Sequence, residues 1–191
     1  DGDLPARTGL GSTSAFTVGL LNSLHALKGA MLSKTRLARE AIYIERDILK
    51  ENVGSQDQVA VSYGGFNKIT FFKDDEARVE PIIIEKERIK ELDNHLMLYF
   101  TGFTRFASEV AKEQIEQTPK KEKELNLMRQ MVDESVEILT EKKDISEFGK
   151  LLNESWQLKK SLSDKISNPE IDNIYERAIR AGALGGKVLG A

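Results

Sequence analysis

The chain has no cysteine, which excludes disulfide bridges, a thiolate nucleophile and thiolate-held zinc, and which suits a reducing cytoplasm. Histidine occurs only twice, at His25 and His95, spaced neither to each other nor to an acidic partner as metal ligands would be. Long hydrophobic runs are missing too, so no segment reads as spanning a bilayer. The opening Asp1-Gly2-Asp3-Leu4-Pro5 is no signal peptide. There is no excess of positive charge. Lys and Arg number 28 against 31 Asp and Glu, a net charge of −3, and nothing advertises a nucleic-acid partner. An initiating Met is lacking and the last residues, Gly190-Ala191, follow a glycine-rich apolar stretch, so both ends read as cuts. What is present is ordinary: 191 residues, 40% hydrophobic and 31% charged, enough for one large domain or two small ones with a genuine core. The oligomeric state is not legible.

Residues 4–13 form a loop of structure-punctuating residues. The spacing of Phe16, Leu20, Leu24 and Leu27 predicts an apolar helix, stopped by Gly29. Ser33 is placed to cap a second helix with Leu37, Ala41, Ile44 and Ile48 on one face. A polar, glycine-rich zone runs from Asn52 to Asn67. Strands are expected at Lys68–Phe72 and Val79–Ile84 around the acidic turn Asp74-Asp75-Glu76, and a third at Leu96–Phe100 after a short charged helix over 87–94. Beyond Gly102 the pattern becomes long amphipathic helices near 104–117, 121–142, 144–163 and 169–181. The last has Asn168 as N-cap, Pro169 at its first position and Gly182 past its end. The change of texture near Asp93 divides the chain into domains 1–93 and 94–191.

Gly9-Leu10-Gly11-Ser12-Thr13-Ser14 directly precedes the first helix. Two glycines allow positive φ and close approach of backbone to an anion, and the helix N-terminus adds about half a positive charge. The hydroxyls can cap free amides or ligate a metal. That suits a polyphosphate, although no Gly-Lys-Ser/Thr closes the loop as in the Walker arrangement. A tight turn before a Ser/Thr-capped helix reads equally from the same residues.

Two carboxylates stand out. Glu45 follows Ala41 and precedes Leu49 by four residues, so its helical neighbours are apolar and a carboxylate there needs a partner. The partner is either Arg39 or Arg46 in a salt bridge, or Mg²⁺, a hard cation held by one or two side chains plus phosphate oxygens. Asp57 lies in Val53-Gly54-Ser55-Gln56-Asp57-Gln58, where Ser55 and Gln58 have capping-box spacing. In the first turn of the resulting helix, Asp57 either complements the helix dipole or serves as a base toward a substrate hydroxyl.

Taken together, Leu4-Pro5-Ala6-Arg7-Thr8-Gly9-Leu10-Gly11-Ser12-Thr13-Ser14, the segment ending Asp57-Gln58, and Ala181-Gly182-Ala183-Leu184-Gly185-Gly186-Lys187 resemble, in order, three motifs of the GHMP kinases. The resemblance implies an α+β two-domain fold, with an ATP-binding N-terminal domain lacking its first strand-rich segment and a helix-rich, ferredoxin-like C-terminal domain. It implies that Gly9, Leu10, Gly11, Ser12, Thr13 and Ser14 hold ATP, that Thr13 and Glu45 ligate Mg²⁺, and that Asp57 is the catalytic base. Within that superfamily, Gly54–Asp57, Tyr63–Asn67, Phe100–Ser108 and Asn153–Lys160 resemble the D-glycero-D-manno-heptose 7-phosphate kinases. That likeness implies a sugar or sugar-phosphate substrate phosphorylated at its anomeric hydroxyl, with galactokinase- or fucokinase-like activity, or an inactive nucleotide-binding fragment, as the alternatives.

Several residues are weighed against plainer roles. Arg105 opens a helix after a Thr-Gly turn and could clamp a substrate phosphate, or lie on the surface. Gly65 and Phe66 could shape a sugar pocket, or turn the chain into a strand. Lys159 and Lys160 read as solvated helix lysines, and Trp156, with Leu152 and Phe148, as core.

Overall fold

The computed structural model describes residues 9–74, 76–101 and 117–190. Arg105 and the helix expected near 104–117 lie outside them. The chain forms two compact units, which we describe separately.

The first unit holds residues 9–81 and Gly190. Helix α1 (Ser12–Leu27) starts at Gly11 and ends at Lys28, with Gly29 at φ 70 turning the chain out. Helix α2 (Lys34–Ile42) is capped by Ser33, whose hydroxyl accepts from the Arg36 amide at 3.3 Å. Helix α3 (Gln56–Tyr63) ends at Gly64, and the strands β1 (Asn67–Phe71) and β2 (Ala77–Pro81) pair antiparallel with Asn67 opposite Pro81. The strands fall within a few residues of their expected places, because the acidic turn between them can only be a hairpin.

Helices α1, α2 and α3 pack on one another around Val18, Leu37 and Ala41, with Leu21 and Leu32 alongside. This corrects the expected face of α1. Phe16, Leu20, Leu24 and Leu27 share a side, but that side is exposed, Phe16 at 70%. The helix is apolar on two sides, and the side carrying Ser14 and Val18 is the one turned inward.

Helix α2 runs into a π-helical segment, Tyr43–Ile48, whose wider turn carries one more residue than an α-turn. The Leu49 amide donates to the Ile44 carbonyl at 2.9 Å and the Glu51 amide to that of Glu45 at 3.0 Å, with Lys50 held at φ 57. The widened turn breaks the expected apolar face. Ala41 is fully buried, Ile48 is exposed, and Glu45 is buried at 1% exposure.

The second unit holds residues 82–101 and 117–189. Its described elements are helical: α4 (Lys86–His95), a 3₁₀ turn (Thr118–Lys120), α5 (Glu122–Thr140), α6 (Ile145–Lys160) and α7 (Pro169–Arg180). Asn168 caps α7 as expected, its side-chain oxygen accepting from the Ile171 amide at 2.8 Å. Leu92, Leu139 and Ile145 form its core with Ile84 and Phe148, and Trp156 is buried against Tyr175. Buried Arg88 donates from α4 to the carbonyls of Ile138 and Lys143 at 2.7 and 2.6 Å, so it closes the C-terminal end of α5. The strand expected at Leu96–Phe100 is not formed. These residues take no regular structure and are exposed, and among the described residues no strand pairs with them.

The contact division falls after Pro81, whereas the change of sequence texture falls near Asp93. The short helix α4 therefore goes with the helical unit. Among the described residues, no helix is long and apolar enough to cross a membrane.

Candidate active site

Gly9 and Gly11 adopt φ of 76 and 70, a conformation that L side chains rarely take. Gly11 is the N-cap of α1, and no side chain caps the helix there; its first turn carries no acidic residue. The leading amides of α1 thus keep their donor capacity and their partial positive charge, the arrangement that receives an anion. Leu10 between the glycines is solvent-accessible.

Asp57 enters this site from the first turn of α3. A methyl group built on Gly11 would lie 3.0 Å from Asp57 Oδ2 and 3.2 Å from its Cγ. The carboxyl group therefore rests directly on the glycine at the helix mouth. Asp57 stays accessible to water, but its carboxyl is partly desolvated there. Desolvation first, and the charge of Glu45 second, push its pKa above the ordinary aspartate value.

Glu45 lies deeper. Its Oε2 accepts two hydrogen bonds, from Ser14 Oγ at 3.0 Å and from Gln58 Nε2 at 2.6 Å. Its Oε1 is buried and has no hydrogen-bond partner. The salt bridge weighed for Glu45 is not made. Arg39 pairs with Glu76, and Arg46 lies 3.6 Å from Asp47. An unpartnered buried carboxylate oxygen beside a serine hydroxyl is a donor set that fits a divalent cation of the Mg²⁺ type. Among the described residues no three His, Cys, Asp or Glu side chains converge.

The structure brings together Gly11, Ser14, Glu45 and Asp57. Thr13 is exposed in the first turn of α1, its carbonyl accepting from Thr17 Oγ1 at 3.1 Å, and Ser14 is the hydroxyl bonded to Glu45. Ser12 is half-buried in the same turn. Gly64 and Gly65 take φ of 62 and 79 and turn the chain from α3 into β1, with the Asn67 side chain donating to the Gly64 carbonyl at 2.6 Å and Phe66 exposed.

Ser55 does begin α3, but it makes no side-chain cap. Its capping-box partner Gln58 is buried and spends its amide on Glu45 instead. Gln58 is thus the site residue that local spacing misassigned. A capping box would use Gln58 Oε1 to accept from the Ser55 backbone N–H; here Oε1 is buried without a hydrogen-bond partner, and Nε2 donates to the buried carboxylate. His25, which lacks metal-ligand spacing in the sequence, lies 2.8 Å from Glu40 Oε2 across α1 and α2.

Residues 1–65 match the GHMP kinases N terminal domain and residues 136–191 the GHMP kinases C terminal domain, which together take in well over half of the chain. The D-glycero-alpha-D-manno-heptose 7-phosphate kinase of Campylobacter jejuni is 32% identical over 191 residues, 99% of this chain and 56% of the relative. A galactokinase of Pyrococcus furiosus is 28% identical, over 100% of this chain and 60% of its own length. The crystal structure of a D-glycero-D-manno-heptose 1-phosphate kinase from Bacteroides thetaiotaomicron superposes with a TM-score of 0.69 at 30% identity, covering 99% of this chain and 52% of that one. The chain spans little more than half the length of these relatives.

Proposed function

The chain belongs to the GHMP kinases, and from that premise we propose that it carries the phosphate-binding and acid/base half of an ATP-dependent sugar kinase. The observation that carries the proposal is the Asp57 carboxyl resting on Gly11 at the open N-terminus of α1. Triphosphate oxygens would be received by the α1 amides and the Gly9–Gly11 backbone. Mg²⁺, when bound at Glu45 and Ser14 with Thr13 as a further hydroxyl, supplies charge neutralisation for the transferring phosphoryl group. Asp57 takes the proton from the attacking sugar hydroxyl at its carboxylate, and its raised pKa makes it a better proton acceptor than an ordinary aspartate.

For the acceptor we propose a sugar phosphate, with D-glycero-D-manno-heptose 7-phosphate as first choice and its anomeric hydroxyl as the point of attack. The heptose-kinase relatives support this choice. Gly65, Phe66 and Arg105 are the proposed acceptor-binding residues, and an ATP-consuming site of this kind belongs in the cytoplasm. By the change of sequence texture we take residues 1–93 as the remainder of the N-terminal domain and 94–191 as the C-terminal domain, although by contacts α4 groups with the helical unit. The galactokinase relative favours a second reading, an unphosphorylated hexose. Product analysis with Mg·ATP and a panel of free and phosphorylated sugars separates the two. Turnover confined to phosphorylated sugars is expected, and turnover of free sugars alone would overturn the heptose assignment.

A further inference from the structure

We propose that Gln58 is a positioning residue that fixes which oxygen of Glu45 is presented to the metal; the proposal rests on the kinase reading above. Gln58 is 1% exposed, and its Nε2 lies 2.6 Å from Glu45 Oε2. The orientation of the amide follows from its surroundings, since the flipped form would set an amide oxygen against a carboxylate oxygen. Ser14 Oγ donates to the same Oε2 at 3.0 Å. With both donors on one oxygen, rotation of the carboxylate to exchange its oxygens would break two charge-assisted bonds at once. Oε1 is thereby held as the free acceptor, buried and unpartnered. The bond also reaches further. Gln58 adjoins Asp57 on α3, so the contact that orients the metal carboxylate also anchors the turn that lays Asp57 on Gly11. One amide thus ties the metal ligand to the base.

The test replaces Gln58 by Met, which keeps length and apolar packing but cannot donate. Mn²⁺ affinity is read by electron paramagnetic resonance in the presence of a non-hydrolysable ATP analogue, alongside thermal unfolding in chelator. The expected result is Mn²⁺ affinity weakened about 10–100-fold, as is typical when the partner of a metal ligand is lost. Metal-free nucleotide affinity should stay within about twofold, because the α1 amides are untouched. A role in packing alone would lower the unfolding midpoint in chelator and leave the Mn²⁺ affinity of the folded protein unchanged, and that outcome overturns the proposal. Should Gln58→Met fail to fold, Gln58→Asn keeps the amide but is one methylene too short to reach Glu45, and the same loss is expected; unchanged Mn²⁺ affinity there is equally fatal. Wild-type protein that binds no Mn²⁺ with nucleotide would instead overturn the kinase reading, and this inference with it.

Discussion

Asp57 combines three properties that suit a proton acceptor: contact with Gly11 at the N-terminus of α1, partial removal from water, and a carboxylate neighbour that raises its proton affinity. Replacing it with Asn should lower kcat by about 10²–10⁴-fold while ATP affinity, measured calorimetrically, is nearly retained. Equal loss of both would make it a structural residue. Its pKa also has a consequence for stability. Because the folded-state pKa lies above the unfolded value, the folded protein holds this proton more tightly. The contribution is favourable below the unfolded pKa and is lost as pH rises through the folded pKa, above which the ionised carboxylate is a net cost. Asp57→Asn should therefore melt higher than wild type at neutral pH, with the gap closing toward acid. Gly11→Ala places a methyl group 3.0 Å from Asp57 Oδ2 on a residue at φ 70. It should cost about 1–3 kcal/mol of stability from backbone strain alone, read by chemical denaturation, and should reduce turnover by displacing the proposed base.

At the scale of elements, the π segment Tyr43–Ile48 decides what the site contains. A regular helix would have continued the apolar face through Ile44 and Ile48; the extra residue in the turn leaves Ile48 in water, with Glu45 fully buried beside Ser14 and Gln58. The starts of α2 and α7 were legible in the sequence because N-caps are local signals, as Ser33 and Asn168 show. The π turn was not legible, since no residue pattern marks a one-residue change of helical phase. Long-range choices escaped for the same reason. Nothing near Gln58 reports that its amide will meet Glu45, and nothing near Arg88 reports that it will close another helix. Arg88 donates to the Ile138 and Lys143 carbonyls from a 6%-exposed position. Arg88→Met should cost about 3 kcal/mol, because carbonyls at the end of α5 lose a charged donor in a buried setting. Lys in its place should recover little, having no planar fork to span two carbonyls.

For the whole molecule, composition indicated a globular protein, and the order of the three motifs indicated the family and with it the α+β fold; the Leu96–Phe100 run misled, since a strand requires a partner and an apolar run alone cannot supply one. The two units also differ in how they can be watched. Trp156 is the only tryptophan in the chain, 1% exposed, with its ring centroid 6.2 Å from that of Tyr175 and the Lys160 ammonium 5.9 Å away. Its indole emission should be blue-shifted and poorly quenched by acrylamide. That signal belongs to the helical unit, while the unit bearing Gly11 and Asp57 contains no indole at all. A tryptophan-fluorescence melt is therefore blind to that unit, and far-ultraviolet ellipticity must be followed beside it before any single midpoint is assigned to the protein.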